Sequence, residues 1–554
     1  DMKDLKESKL IFKLARCALV LLSLEVATQG VTVSGVQAAY QNISQVLFKY
    51  SQKEGNDTEF LSEKLIEPLL EVLESESPAC SAADLRVYIV GILKNVSNDT
   101  ANQKFLAQRG AVGSLFKLLD PGKLVGGAKE APLLIQATAA LRNLASNQYK
   151  QFLTTEWLTS LTKLMEAFPN HVELLTNIAR ILSKLTLHSS AVEAIAKSDA
   201  HIRQIARTVS NNMDSSALTL RLSFVLGNLT ERSDRLRVVF AFDCEGTALV
   251  PQLLSKYWQK DRQLARGEVE TEKGKASAQD VEEVLVKLVR LLANIAISPD
   301  AGATLAASSA VVDPLLDMLG AKRISDSEEL VLNVVAAVTN LLFWDVPSNM
   351  LFQEESKQLL CRLFRPLLLE SYNVEALVET ARALGNLSRH ADARKCMVSL
   401  RLDEILAILL DHDDRDLVFY SCGALVNLAA DPECTPRLTG STPAVEKLGK
   451  LLGDAPTDDP LLQLVAVKVL TNLSLDSEAT WSSTDIEAVR SALLQTIAES
   501  KELADISERQ QLIELSQQLV SRLPESPEAE PGSADGAAKD WFYCTAPGCG
   551  RRFG

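Results

Sequence analysis

The chain has 554 residues, more than one compact core usually holds, so several domains or one quasi-linear array of stacked units is required. Hydrophobic residues make up 47% but aromatic ones only 5%, a balance rich in Ala, Leu and Val that favours helix over sheet. The formal charge of −15 repels phosphate backbones and anionic membrane surfaces, which counts against nucleic acid and membrane as partners.

In chain order, the first apolar run is CALVLLSL (17–24), far short of a membrane span and read as a core helix behind Lys13 and Arg16. The chain opens on Asp1 rather than Met, as a fragment would. Residues 1–59 read as N-terminal capping helices, with a degenerate repeat centred on Asn42. A motif then recurs as Leu93-Lys94-Asn95-Val96, Leu141-Arg142-Asn143-Leu144, Leu175-Thr176-Asn177-Ile178 and Leu226-Gly227-Asn228-Leu229. It continues as Leu292-Ala293-Asn294-Ile295, Val338-Thr339-Asn340-Leu341, Leu384-Gly385-Asn386-Leu387, Leu425-Val426-Asn427-Leu428 and Leu470-Thr471-Asn472-Leu473. Neighbouring asparagines are 48, 34, 51, 66, 46, 46, 41 and 45 residues apart, around the two- or three-helix period of roughly 40–47.

Within one unit, Val418, Cys422, Leu425 and Ala429 fall on one helical stripe, and Asp413, Asp414 and Asp416 precede it, where a helix N-terminus favours negative charge. Asp431-Pro432 then breaks the helix, and VEKLGKLLG (445–453) supplies another amphipathic turn. The order is a short, a middle and a long helix, the long one ending at the asparagine. Four of the asparagines (95, 228, 386, 472) are also sequons, but their common place in the pattern reflects the repeat rather than glycosylation.

Two segments break the rhythm. KDRQLARGEVETEKGKASAQD (260–280), inside the 66-residue interval, reads as a charged solvent loop. After the repeats of residues 60–479 and C-terminal capping helices over 480–523, PESPEAEPGSADGAAKD (524–540) is too poor in apolar residues to bury a core and reads as a linker. The last segment, 541–554, holds Cys544 and Cys549 at C-x4-C with Phe553 behind them, similar to the opening half of a C2H2 zinc finger. Two thiolates are half of a tetrahedral zinc site and no histidine follows, so the chain either stops before its His pair or carries an incidental turn. The nine cysteines are scattered, mostly in apolar runs, as in a reducing compartment.

Helix order, period and the Leu-x-Asn-Leu signature together resemble the armadillo repeat over about residues 60–475. The fold expected is therefore all-α, a right-handed armadillo-repeat superhelix (α-solenoid) of about ten repeats. In families with this repeat the matching asparagines line a concave groove and can hold the backbone of an extended ligand, since an amide offers both donor and acceptor. The resemblance thus assigns a partner-binding groove to Asn228, Asn294, Asn340, Asn386 and Asn427; the competing role for such an amide is to satisfy neighbouring helix ends within the stack. Importin-alpha-like members place a Trp four residues before the asparagine, an aromatic slot for lysine. Here that place holds Gly91, Ala139, Glu173, Phe224, Arg290, Ala336, Arg382, Gly423 and Lys468, which disfavours binding of nuclear signals. Lys94, Arg142, Arg180, Arg290, Arg382, Arg389 and Lys468 outnumber Glu173, Glu231 and Glu379 nearby, so catenin-like clasping of acidic peptides and simple solvated charge both remain open.

The five histidines (171, 188, 201, 390, 412) show no metal spacing and the glycines of LVGGAKEAP (124–132) no phosphate-loop spacing, so no enzyme and no cofactor are expected beyond zinc at Cys544 and Cys549. The lines LLANIAISPDAGATLAA (291–307), RALGNLSRHADARKCM (382–397) and SCGALVNLAADPE (421–433) resemble a ciliary branch of the armadillo family. That resemblance implies a cytoplasmic and ciliary or flagellar adaptor that links radial-spoke cargo to intraflagellar transport during axoneme assembly. The alternative is a soluble nuclear-transport or signalling scaffold of importin or catenin type.

Overall fold

The computed structural model describes residues 2–28, 33–120, 130–146, 149–267, 274–440, 442–454, 459–475, 481–502 and 507–524. Helices dominate throughout, and no strand occurs among the described residues. Nine long helices carry the repeated motif: α1 Ala83–Val96, α2 Ala131–Leu144, α3 Val172–Leu185, α4 Ser216–Arg232, α5 Gly274–Ile295, α6 Glu328–Phe343, α7 Val374–Leu387, α8 Arg415–Ala429 and α9 Pro460–Leu473. The chain is an all-α solenoid that divides into two compact units, residues 1–253 with 263–291, and residues 254–262 with 292–554.

The order short, middle, long holds where three helices make a full repeat. Ser189–Ala196 and Asp199–Asn211 precede α4; Pro299–Ala306 and Ser309–Ala321 precede α6; Ala391–Ser399 and Leu402–Ile408 precede α8. Each step has a local cause. Asp414 caps α8 by accepting from the Leu417 amide at 2.9 Å, Asn373 caps α7 through the Ala376 amide at 3.0 Å, and Asp459 caps α9 through the Leu462 amide at 3.1 Å. The joint between short and middle helices turns through a left-handed residue at Gly110 (φ 78°) and Arg401 (φ 58°), and through extended Ser198 and Ser308 in two other repeats.

Val418, Cys422, Leu425 and Ala429 are all buried, as the stripe predicts, but so are Ala424, Val426 and Leu428 on the other sides of α8. From Ser421 to Ala429 the helix is buried on every side, because α8 is enclosed there by α7 and α9 as well as by its own repeat. In the first unit α1, α2, α3 and α4 pack in succession in the same way. Helices Ser483–Glu502 and Ser507–Arg522 cover the end of the second unit, against Ala444–Asp454 and α9.

The charged segment 260–280 differs from its expectation as a loop. Helix Gly246–Ala265 runs into it and α5 begins within it at Gly274. Its Lys, Glu, Gln, Arg and Ala are helix formers as well as polar residues. Two of them are tied down in the second unit, where Lys322 donates to Asp261 at 3.1 Å and Arg262 to Asp317 at 3.1 Å. Asn42 is exposed and takes no ladder position. The linker 525–540 and the Cys544 and Cys549 segment lie outside the described residues.

Candidate functional site: the amide ladder of the long helices

The asparagines reach carbonyls in the last turns of the long helix of the preceding repeat, some of which also accept locally, Lys94 from Ser97 Oγ, Gly385 from Ser388 Oγ and Val426 from the Ala430 amide. In the first unit the Asn143 amide donates to the Lys94 carbonyl at 3.2 Å and to Ser97 Oγ at 3.0 Å. In the second, Asn340 donates to the Ala293 carbonyl at 3.0 Å, Asn386 to Thr339 at 3.2 Å, Asn427 to Gly385 at 3.3 Å and Asn472 to Val426 at 3.0 Å. Each acceptor is the residue just before the corresponding asparagine of the preceding copy. A hydroxyl two residues after that place in the preceding helix is a further acceptor: Asn427 donates to Ser388 Oγ at 2.9 Å, two residues after Asn386, while Asn95 donates to Ser51 Oγ at 2.9 Å and Asn228 to Thr186 Oγ1 at 3.1 Å, two residues after Lys49 and Lys184.

The five asparagines assigned to a groove are 5% (Asn228), 2% (Asn294), 4% (Asn340), 7% (Asn386) and 0% (Asn427) exposed. Asn228, Asn340, Asn386 and Asn427 each donate to a neighbour within the stack from a buried position, contrary to the expectation that these groups face an extended ligand. At Asn340 the amide oxygen is taken too, by Arg382 Nη2 at 3.0 Å. Their role is to hold one repeat on the last. Other side chains of the same helices, such as Phe224 on α4, Phe419 and Tyr420 on α8 and Lys468 on α9, stay half-buried.

One register in the sequence is displaced. Asn177 accepts from Arg142 Nη1 at 2.9 Å and donates to the Ile135 carbonyl at 3.4 Å, outside the ladder pattern. The ladder place in α3 belongs to Lys184, whose ammonium donates to the carbonyl of Arg142 at 2.6 Å, just as Asn143 does to that of Lys94. Counted through Lys184, the intervals 143 to 184 and 184 to 228 become 41 and 44 residues instead of 34 and 51. The place four residues earlier is then Arg180, not Glu173, so cations occupy four of the nine such places: Arg180, Arg290, Arg382 and Lys468.

These cations are not treated alike. Arg382, 1% exposed, is held by Glu379, with Nη1 3.0 Å from each carboxylate oxygen. Arg290 has Glu231 at 4.0 Å. Arg180 stands exposed beside half-buried Arg142 and Lys184, and among the described residues no carboxylate pairs with any of the three. Burial, and then the neighbouring cations, push Arg142 and Lys184 below the usual range of their side chains.

Nine long helices, an inter-repeat amide at a period near 45 residues and the short, middle, long order define the fold family. No family model matches the chain. It is 32% identical over 474 residues to armadillo repeat-containing protein 2 of Mus musculus, covering 84% of this chain and 55% of the relative. The protein of that name in Homo sapiens is 31% identical over 485 residues, 85% of this chain and 54% of the relative. The chain is an armadillo-repeat protein.

This armadillo chain spans about half the length of the curated relatives it matches. A solved structure from a study of the phosphorylation switch between cadherin and beta-catenin aligns with a TM-score of 0.64 over 92% of this chain and 97% of that one; at 14% identity the likeness is one of fold. With its relatives it shares a scaffold of armadillo repeats.

Proposed function

We propose that the chain is a non-enzymatic adaptor of the motile cilium or flagellum that links radial-spoke cargo to intraflagellar transport during axoneme assembly. The supporting observation is the likeness to armadillo repeat-containing protein 2 over 84% of the chain, which includes the segments 291–307, 382–397 and 421–433 that suggested a ciliary branch from sequence. A scaffold of importin type is less favoured, since a lysine-rich signal would find no Trp at any of the nine places and would meet cations at Arg180 and Lys468.

Affinity capture with the whole chain from extracts of ciliated cells tests this reading. Recovery of spoke and transport-train proteins is the expected outcome; recovery of importins or small GTPases without them would move the chain to the alternative class.

A further inference from the structure

The first and last helices of the chain present different outer faces. A helix that ends an array of repeats needs a polar outer face, since no further repeat covers it. The last helix, Ser507–Arg522, has one: every exposed residue along it is polar, Gln510, Glu514 and Gln517 among them. The first helix, Met2–Thr28, does not. It packs on Val33–Ser51 and Ile66–Glu74, buries Phe12, Ala15 and Leu19, and sets the Phe12 ring 4.9 Å from that of Phe60. On the opposite side Leu10, Leu14, Cys17, Leu21 and Leu24 are exposed, each leucine by more than half of its surface, with exposed Val20 beside them. Half of the run CALVLLSL (17–24), expected as core, is therefore turned away from it.

We propose that this stripe is a dimer seam, through which the first helix pairs with the first helix of a second copy of the chain. Its residues are separated by alternating steps of four and three, the period that keeps a seam on one line where two helices wrap each other. A leucine seam complements an identical one. The polar outer face of Ser507–Arg522 offers it no match, so the copies join first helix to first helix, and a contact that uses the same surface on both sides closes at two chains. Burying these side chains on both copies removes on the order of 1,000 Å² from water, which reaches the lower bound of a specific interface. A bilayer is the less favoured occupant, because the stripe is one seam wide, is edged by exposed Lys13 and Arg16 on one side, and belongs to a chain whose −15 opposes an anionic surface. The proposal goes beyond the adaptor reading and does not depend on it.

Sedimentation equilibrium of the whole chain tests this. The chain is expected to pass from monomer to dimer at micromolar concentration, as suits an interface at the small end of the specific range. Added salt tightens the dimer, because it screens the repulsion between two chains of −15 and leaves apolar contact intact. Leu14→Glu with Leu21→Glu, both at exposed positions, weakens it by about a hundredfold or more and leaves thermal unfolding of the dilute monomer unchanged. Leu494→Glu, at an exposed leucine of Ser483–Glu502, leaves the dimer as it was. In a second readout on the unaltered chain, maleimide modification of Cys17, followed by mass spectrometry, slows as the concentration rises through the transition, since the seam covers the thiol. A chain that stays monomeric up to about 100 μM, a dimer that survives both glutamates, or a Cys17 that reacts equally fast in monomer and dimer would each overturn the proposal. Binding of the monomer to phosphatidylcholine and phosphatidylserine vesicles, lost in the double variant, would overturn it in favour of a membrane.

Discussion

Glu379→Ala is expected to destabilise the second unit by about 3–5 kcal/mol, the largest effect of any single substitution considered, because it leaves a buried guanidinium without its carboxylate. Arg382 is 1% exposed, and Glu379 accepts from its Nη1 with both oxygens. With Glu379 gone, Asn340 Oδ1, a neutral acceptor also 3.0 Å away, is what remains from these contacts. Since the penalty comes from the orphaned charge, Glu379→Leu combined with Arg382→Met should recover most of the loss. Urea and thermal unfolding of the three proteins check this. A loss under about 1 kcal/mol in Glu379→Ala would mean that water reaches the guanidinium and that the pair behaves as a surface contact.

Asn340→Ala with Asn386→Ala is expected to lower the melting temperature on the order of 10 °C. Each substitution removes a donor to a carbonyl of the preceding repeat; a buried acceptor left unmade, as at Ala293, costs about 1–3 kcal/mol, and a second bond lost from a carbonyl that keeps its helical donor, as at Thr339, about 0.5–1.5 kcal/mol. Two such losses convert at roughly 2–4 °C per kcal/mol for a body of this size. The Asn340 change also takes an acceptor from Arg382, so the two effects couple with that of Glu379 and do not simply add to it. Partner capture by the fraction that stays folded should be close to that of the unaltered chain. Lost capture at an unchanged melting temperature would return the asparagines to the ligand groove.

Much of the scaffold was legible in the sequence because its two signals are chemical: the Leu-x-Asn-Leu ends of the long helices and the Asp and Asn residues that cap them, such as Asp414 and Asp459. The displaced register has a plain cause. Asn177 and Lys184 are seven residues apart, close to two helical turns, so Leu175 and Ile178 repeat the apolar pattern of Leu182 and Leu185 and periodicity cannot separate the two choices. Thr186, two residues after Lys184 as Ser97 is after Asn95 and Ser388 after Asn386, was the available clue, along with the more even intervals. The function of the amides was not legible at all. The same donor and acceptor serve a ligand or a neighbouring helix end, and only burial between repeats decides which. The segment 260–280 misled for a related reason, since charged residues read as loop until they find partners such as Lys322 and Asp317 along a helix.

The central claim, that these long helices are joined by an amide ladder whose rung in α3 is Lys184, is tested most directly by comparing thermal unfolding of Lys184→Asn and Lys184→Leu. Asparagine restores the group that fills the other rungs, keeps a donor for the Arg142 carbonyl and relieves the repulsion from Arg142 and Arg180, so its melting temperature should equal or exceed that of the unaltered chain. Leucine leaves that carbonyl without its donor and should lower stability by about 1–3 kcal/mol. If asparagine destabilises the chain as much as leucine does, Lys184 is not a rung of the ladder and the register assigned to α3 is wrong.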